Sequence, residues 1–227
     1  MTLINNTRKG CKDVFRSYLV KTAKFASELE IPIIEPVDII PERLIPFSAA
    51  ISSNEFDSWV HFYEDDVNFE RIWNNPNKYL PILMRFNGVI LPDFSVYRDM
   101  PLVMQYWNIY RSRAIGHWLQ ENGIHVIPNI RFGDERTYQV CCAGISRGSV
   151  IAIGSHGCIK IISERQLFAE GLAYIVNCLK PKSIVVYGKA PDSIFSYYKQ
   201  QGIGVIQFES DCAKSHFEKE GDANGRR

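Results

Sequence analysis

The chain has 227 residues, of which 46% are hydrophobic and 22% charged, with 26 Lys and Arg set against 25 Asp and Glu. That composition supplies a sizeable core and excludes a chain disordered along most of its length. The balanced charge lacks the strongly basic signature of a phosphate-backbone binder, so nucleic acid is allowed as a partner without being favoured.

No run approaches the ~18 apolar residues of a membrane helix, and the stretch from Met1 to Asn6 has no basic segment followed by an apolar one. A cytoplasmic protein with no membrane partner is therefore expected. The six cysteines, at 11, 141, 142, 158, 178 and 212, form no CxxC pair. They read as reduced thiols, favouring neither a disulfide framework nor a structural zinc site.

In chain order, residues 1–30 are expected to form an amphipathic helical lead-in with Val14, Tyr18 and Phe25 as anchors. Residues 31–212 follow as a single α/β domain. Ile31-Pro32-Ile33-Ile34 and Leu44-Ile45-Pro46-Phe47 are possible strands, although prolines 32, 36, 41 and 46 weaken them by removing ladder donors. From residue 58 a unit repeats: a short apolar or β-branched run, a polar elbow, then a helix-length segment. Strands are predicted at about 59–63, 88–92, 124–128, 150–154, 183–187 and 203–208. Helices are predicted near 67–86, 101–121, 135–142, 163–179 and 191–201. Asn122-Gly123 and Lys180-Pro181 supply two of the helix stops. Residues 213–227, charged and poor in apolar side chains, are expected to be a disordered tail.

The strand runs are apolar without strict alternation, which predicts a mainly parallel sheet covered on both faces. Strand and helix alternation leaves two architectures, a complete or distorted β/α barrel of the TIM type, which the strand count favours, and an open doubly wound sheet.

Ligands of parallel β/α folds bind where the elbows converge at the carboxyl ends of the strands. Asp93, one proline after its strand, suits a base, nucleophile or ligand, or alternatively a helix cap. Asn129, Arg131 and Asp134 leave one elbow together; Arg131 is placed to clamp a phosphate or carboxylate, or to lock Asp93 or Asp134 structurally. In Gly154-Ser155-His156-Gly157-Cys158 the histidine offers proton transfer near neutral pH, and Cys158 is a weaker nucleophile candidate. The catalytic candidates are thus Asp93, Asp134 and His156; Ser95, Asn129, Arg131, Ser155 and Lys189 are candidates for binding substrate. Glu64-Asp65-Asp66 reads as a solvated, helix-capping acidic loop rather than a metal site. Val103, Tyr106, Trp107, Tyr110, Ala114 and Trp118 read as a buried stripe on the long helix, with Arg111 and Arg113 as surface or ion-pair arginines. No phosphate-binding glycine motif, nucleophile elbow or HExxH is present, and no cofactor is specified.

The stretches Trp59 to Asp66, Gly88 to Pro101, Val126 to Thr137 and Ser155 to Cys158 together resemble domain of unknown function 4417, from about residue 8 to 209. The resemblance implies a setting in bacteria, prophages and integrative elements, and it carries no catalytic assignment. Leu91 and Phe132 stand where the family pattern has serine and tryptophan, and neither change removes an ionisable group. Two functional readings follow. One is an enzyme, a hydrolase or transferase acting on a phosphorylated or nucleotide-like substrate by acid–base or group-transfer chemistry. The other is a non-catalytic binding protein for nucleic acid or a host protein.

Overall fold

Every predicted strand after residue 58 is a run of β-branched or aromatic residues, and each becomes a short parallel strand in the computed structural model, which describes residues 13–210. Four strands form one sheet in the order β3 (Leu44–Pro46), β4 (Trp59–His61), β5 (Gly88–Ile90) and β6 (Val126–Ile127). Three form a second, β7 (Val150–Gly154), β8 (Ser183–Tyr187) and β9 (Gly204–Phe208). All neighbouring pairs within these two sheets are parallel. The sheets meet at an isolated parallel bridge between Asn129 and Ala152.

The expected single sheet is therefore two, and no closed barrel is formed: among the described residues no pairing returns from β9 to β3. Strand order nevertheless follows chain order, without the reversal of a doubly wound sheet. β9 is partly exposed along its length, as an edge strand is. The Ile31–Ile34 segment does not supply a barrel strand. Its β2 (Ile31–Pro32) instead pairs antiparallel with β1 (Phe25–Ala26), leaving only Ile34 to bridge Ile145.

Side chains alternate between the two faces of each strand, and from β4 to β8 both faces are buried. One face of the first sheet packs Val60, Phe62, Val89 and Leu91 against helical Phe69, Ile72, Leu83, Ile115 and Leu119. The second sheet sets Ile151, Ile153, Ile184 and Val186 against Phe168, Leu172, Ile175 and Phe195. The opposite faces of both sheets contribute Trp59, Ile90, Ile127, Val150, Ala152 and Val185 to one shared central cluster. This common cluster holds the two sheets' carboxyl edges at the same end of the molecule.

The first helix, α1 (Phe47–Ala50), is a single turn. The helix predicted near 67–86 is broken into α2 (Asp66–Asn74) and α3 (Pro76–Leu83). Pro76 forces Asn75 out of helical geometry, to φ −148° and ψ 70°, and then opens α3 from a favourable first position. α4 (Leu102–Glu121), α5 (Glu135–Cys142), α6 (Ile162–Leu179) and α7 (Asp192–Gln200) follow their strands as predicted.

The predicted stripe on α4 holds in part: Ala114 and Trp118 are buried in the core and Tyr106 and Tyr110 pack against it, but its N-terminal members do not. Val103 is 73% exposed and Trp107 38%, while Gln105, Asn108, Arg111, Ser112, Arg113 and His117 are buried. Those polar side chains have backbone to satisfy: Ser112 donates to the carbonyl of Pro92 at 2.8 Å and Asn108 to that of Ser95 at 2.6 Å. A polar helix face can be an inner face when it ties down loops.

The lead-in also differs from expectation in the part that is described. Residues 13–30 contain one 3-10 turn, Ser17–Val20, and the short strand β1; of the expected anchors Phe25 packs against the core, Val14 and Tyr18 are exposed, and Leu19 and Val20 are the buried ones. The expected tail at 213–227 lies outside the described residues.

Candidate functional site

Parallel pairing places the elbows after β3, β4, β5, β6, β7 and β8 at one edge, and there they enclose a cleft of about 1040 Å³. Asp93, Ser95, Arg131 and His156 all line it, with Tyr63, Glu64, Asp65, Asp66, Gly154 and Tyr187.

Asp93 is the recessed member, with a side chain 12% exposed. Its Oδ1 accepts a hydrogen bond from Asn129 Nδ2 at 2.7 Å, and its Oδ2 lies 3.5 Å from Arg131 Nη1. Burial pushes the Asp93 carboxyl above the usual aspartate range, overcoming the opposing pull of Arg131 and Asn129. Arg131 is held firmly in its charged form by Asp93.

Asn129 does not open into the cleft. It is buried behind Asp93, its Oδ1 accepting the Tyr63 hydroxyl at 2.9 Å. Its backbone carbonyl is held by Arg113 at 3.1 Å, and the same guanidinium reaches the carbonyl of Cys141 at 2.8 Å. Arg113 is only 1% exposed, so its reading as a surface arginine was wrong. Arg111 is an ion-pair arginine, as one of its two readings had it: it bonds Glu70 at 2.6 Å and lies over the Phe94 ring.

Three candidates sit elsewhere. Asp134 caps α5, accepting from the Arg136 backbone N–H at 3.1 Å and pairing with the Arg136 side chain at 2.7 Å, which holds its carboxyl below the usual range. Ser155 is buried and donates to the carbonyl of Lys189 at 2.7 Å. Lys189 is exposed and does not line the cleft. The serine thus braces the β7 and β8 elbows against each other. Cys158 lies 4.0 Å from Arg131 Nη1, yet burial raises its thiol above the ordinary range, the reverse of an activated thiolate.

The acidic elbow is more committed than a solvated loop. Asp66 accepts from both the backbone N–H and the hydroxyl of Ser95, at 3.1 and 2.9 Å. Glu64 accepts from the backbone and hydroxyl of Ser48. Asp65 at the N-cap of α2 makes no capping side-chain bond. Among the described residues no group of three or more His, Cys, Asp or Glu side chains is arranged to hold a metal ion.

Tyr63 and Tyr187, absent from the sequence-based candidates, form an aromatic wall, their rings stacked 4.6 Å apart at 11°. His61 lies 4.6 Å from Tyr187 and accepts the Tyr63 backbone N–H at 3.2 Å. A usable signal existed: both tyrosines end or directly follow apolar strands. A filter for polar elbows passes over them because tyrosine also counts as an apolar strand residue.

The family model described as domain of unknown function (DUF4417) matches residues 23–209. "Gene 1 protein" of Mycobacterium phage D29 is 32% identical over 191 residues, covering 81% of this chain and 68% of the phage protein. "Gene 1 protein" of Mycobacterium phage L5 is 32% identical over 187 residues, covering 81% of each. No solved structure matches. No helix among the described residues is long and apolar enough to cross a membrane.

Proposed function

The chain belongs to the DUF4417 family and is of a type found in phages, and from that premise and the geometry of the cleft we propose that it is an enzyme using Asp93 as its reacting carboxyl group. The observation that carries this reading is a recessed aspartate at the carboxyl edge of parallel strands, with a raised proton affinity, one oxygen fixed by Asn129 and the other in a longer contact with Arg131. A carboxyl group so placed suits proton transfer or attack on a substrate carbon. Exposed His156 on the cleft lining is the second proton-transfer group, and Arg131 keeps Asp93 oriented. The reaction class is acid–base or group transfer, as in a hydrolase or transferase.

The size of the cleft and its tyrosine wall support the base and sugar of a nucleotide-like ligand better than the charge supports its phosphate. Glu64, Asp65, Asp66 and Asp93 face it, while the charge of Arg131 is matched by Asp93. A phosphate would enter only with its own cations.

A thermal-shift screen of the wild type against nucleosides, nucleotides, sugar phosphates and divalent metals identifies ligands, because one that binds only the native state raises the melting temperature. Asp93→Asn is expected to abolish turnover of any substrate so found while leaving the fold cooperative. Turnover retained in Asp93→Asn overturns the reading.

One observation favours the alternative, a protein-binding role. Val67, Tyr97, Val103 and Met104 are exposed at and beside the cleft mouth. In that case polar substitution of Val103 and Met104 weakens partner capture and Asp93→Asn does not.

A further inference from the structure

Gly154 ends β7 and lines the cleft. Its backbone is an ordinary strand conformation, so geometry alone does not require glycine there. Space does. A Cβ at this position would stand 3.1 Å from Cδ1 and Cε1 of the Tyr63 ring and 3.8 Å from Oδ2 of Asp93. A methyl group would therefore occupy the ground between the aromatic wall and the carboxyl group.

The two oxygens of Asp93 are unequal. Oδ1 accepts a short hydrogen bond from Asn129, whereas Oδ2 has only the 3.5 Å contact with Arg131. Oδ2 is the acceptor left for a ligand, and Gly154 lies beside it. The surrounding charge selects what approaches: Glu64, Asp65 and Asp66 line the same cleft, and the one arginine there is already neutralised. Carboxylates repel an anion and attract a cation or a neutral N–H donor. Tyr63 and Tyr187, stacked on each other, give the cleft an aromatic border that suits a planar group.

We infer that Gly154 is a specificity-determining residue, its missing side chain keeping Asp93 Oδ2 open to a planar nitrogenous hydrogen-bond donor of the amidine or amino-heterocycle class. The inference rests on the reading of Asp93 as the reacting group and adds what that group meets.

The test uses the full chain and needs no known substrate. Carboxyl groups are coupled to glycinamide with a water-soluble carbodiimide, and labelling of Asp93 is followed by peptide mass spectrometry. Benzamidine and benzenesulfonate, aromatic probes of opposite charge that the carbodiimide does not couple to glycinamide, are added as competitors. In the wild type, benzamidine is expected to slow Asp93 labelling by about tenfold, the scale of one well-formed charge-assisted contact, and benzenesulfonate to leave it unchanged. In Gly154→Ala the benzamidine protection is expected to disappear, with cooperative melting retained and the labelling of Asp65 unaltered. Protection by benzenesulfonate equal to that by benzamidine, undiminished protection in Gly154→Ala, or no labelling of Asp93 at all overturns the inference. Should Gly154→Ala fail to fold, the comparison of the two probes in the wild type still decides the ligand class. The two proposals fail separately. Selective benzamidine protection combined with turnover retained in Asp93→Asn sinks the enzyme reading alone, while benzenesulfonate protection combined with turnover lost in Asp93→Asn sinks this one alone.

Discussion

Asn129 donates its side-chain amide to Oδ1 of Asp93 at 2.7 Å, and that bond decides how much of the carboxyl group is left for chemistry. The amide cannot turn round without cost, because its own oxygen accepts the Tyr63 hydroxyl at 2.9 Å. Replacing Asn129 by Asp would set a second carboxylate against Asp93 and remove the donor. This variant is expected to lose about 1–3 kcal/mol of stability in denaturant melts and to raise the proton affinity of Asp93 further. Asn129→Asp with wild-type stability would show that the amide orientation is not what holds Asp93.

The pH dependence of stability carries a sign fixed by Asp93. Burial raises its folded-state pKa above the ordinary value of 3.8, so between the two values the native state holds a proton that the unfolded state has released. Its favourable contribution is complete below the unfolded value and is lost as pH rises through the folded one. Subtracting the unfolding free energy of Asp93→Asn from that of the wild type isolates this effect. The difference is expected to decline as pH rises from about 3.8 and then to level off. A difference that grows over the same range would mean that the pairing with Arg131 outweighs burial.

Arg113 supports the site from behind. It is buried, its pKa drawn down to about 10 by desolvation, and it donates to the carbonyls of Asn129 and Cys141. Arg113→Ala leaves two buried carbonyls without that donor and opens a cavity, so a loss of about 2–5 kcal/mol is expected in urea melts. Lysine presents one ammonium in place of a fork, and Arg113→Lys should recover only part of the loss. A variant within about 0.5 kcal/mol of wild type, the range of ordinary surface substitutions, would return Arg113 to the role its sequence suggested.

Gly144 fixes the N-terminal segment to the domain. Its φ is +74°, its carbonyl accepts the Ile34 N–H at 2.8 Å, and a Cβ there would stand 2.3 Å from the backbone oxygen of Pro32. Backbone cannot yield as a flexible side chain would. Gly144→Ala is expected to cost about 3 kcal/mol, combining left-handed strain with the overlap, and to speed amide hydrogen exchange at Ile34. Unchanged exchange at Ile34 would show that the bridge does not depend on this residue.

The sequence by itself determined the alternation of strands and helices, because the strands are short apolar runs, those from β4 to β8 buried on both faces, and each break follows local backbone chemistry. It also determined that Asp93, Ser95, Arg131 and His156 belong to one edge, since parallel strands bring all their following elbows to the same end. Only the tertiary structure decided which elbow groups meet. Ser155, Asp134 and Lys189 share the sequence context of the cleft residues, yet Ser155 and Asp134 turn to nearby backbone and Lys189 points to solvent. Periodicity cannot see such choices, because a hydrogen bond depends on direction and distance between residues far apart in the chain. The same blindness hid the inward face of α4. A scan for apolar spacing finds the buried Ala114 and Trp118 but also the exposed Val103 and Trp107, and it misses Asn108, Ser112 and Arg113, which are buried because they satisfy carbonyls brought near only once the sheets are assembled.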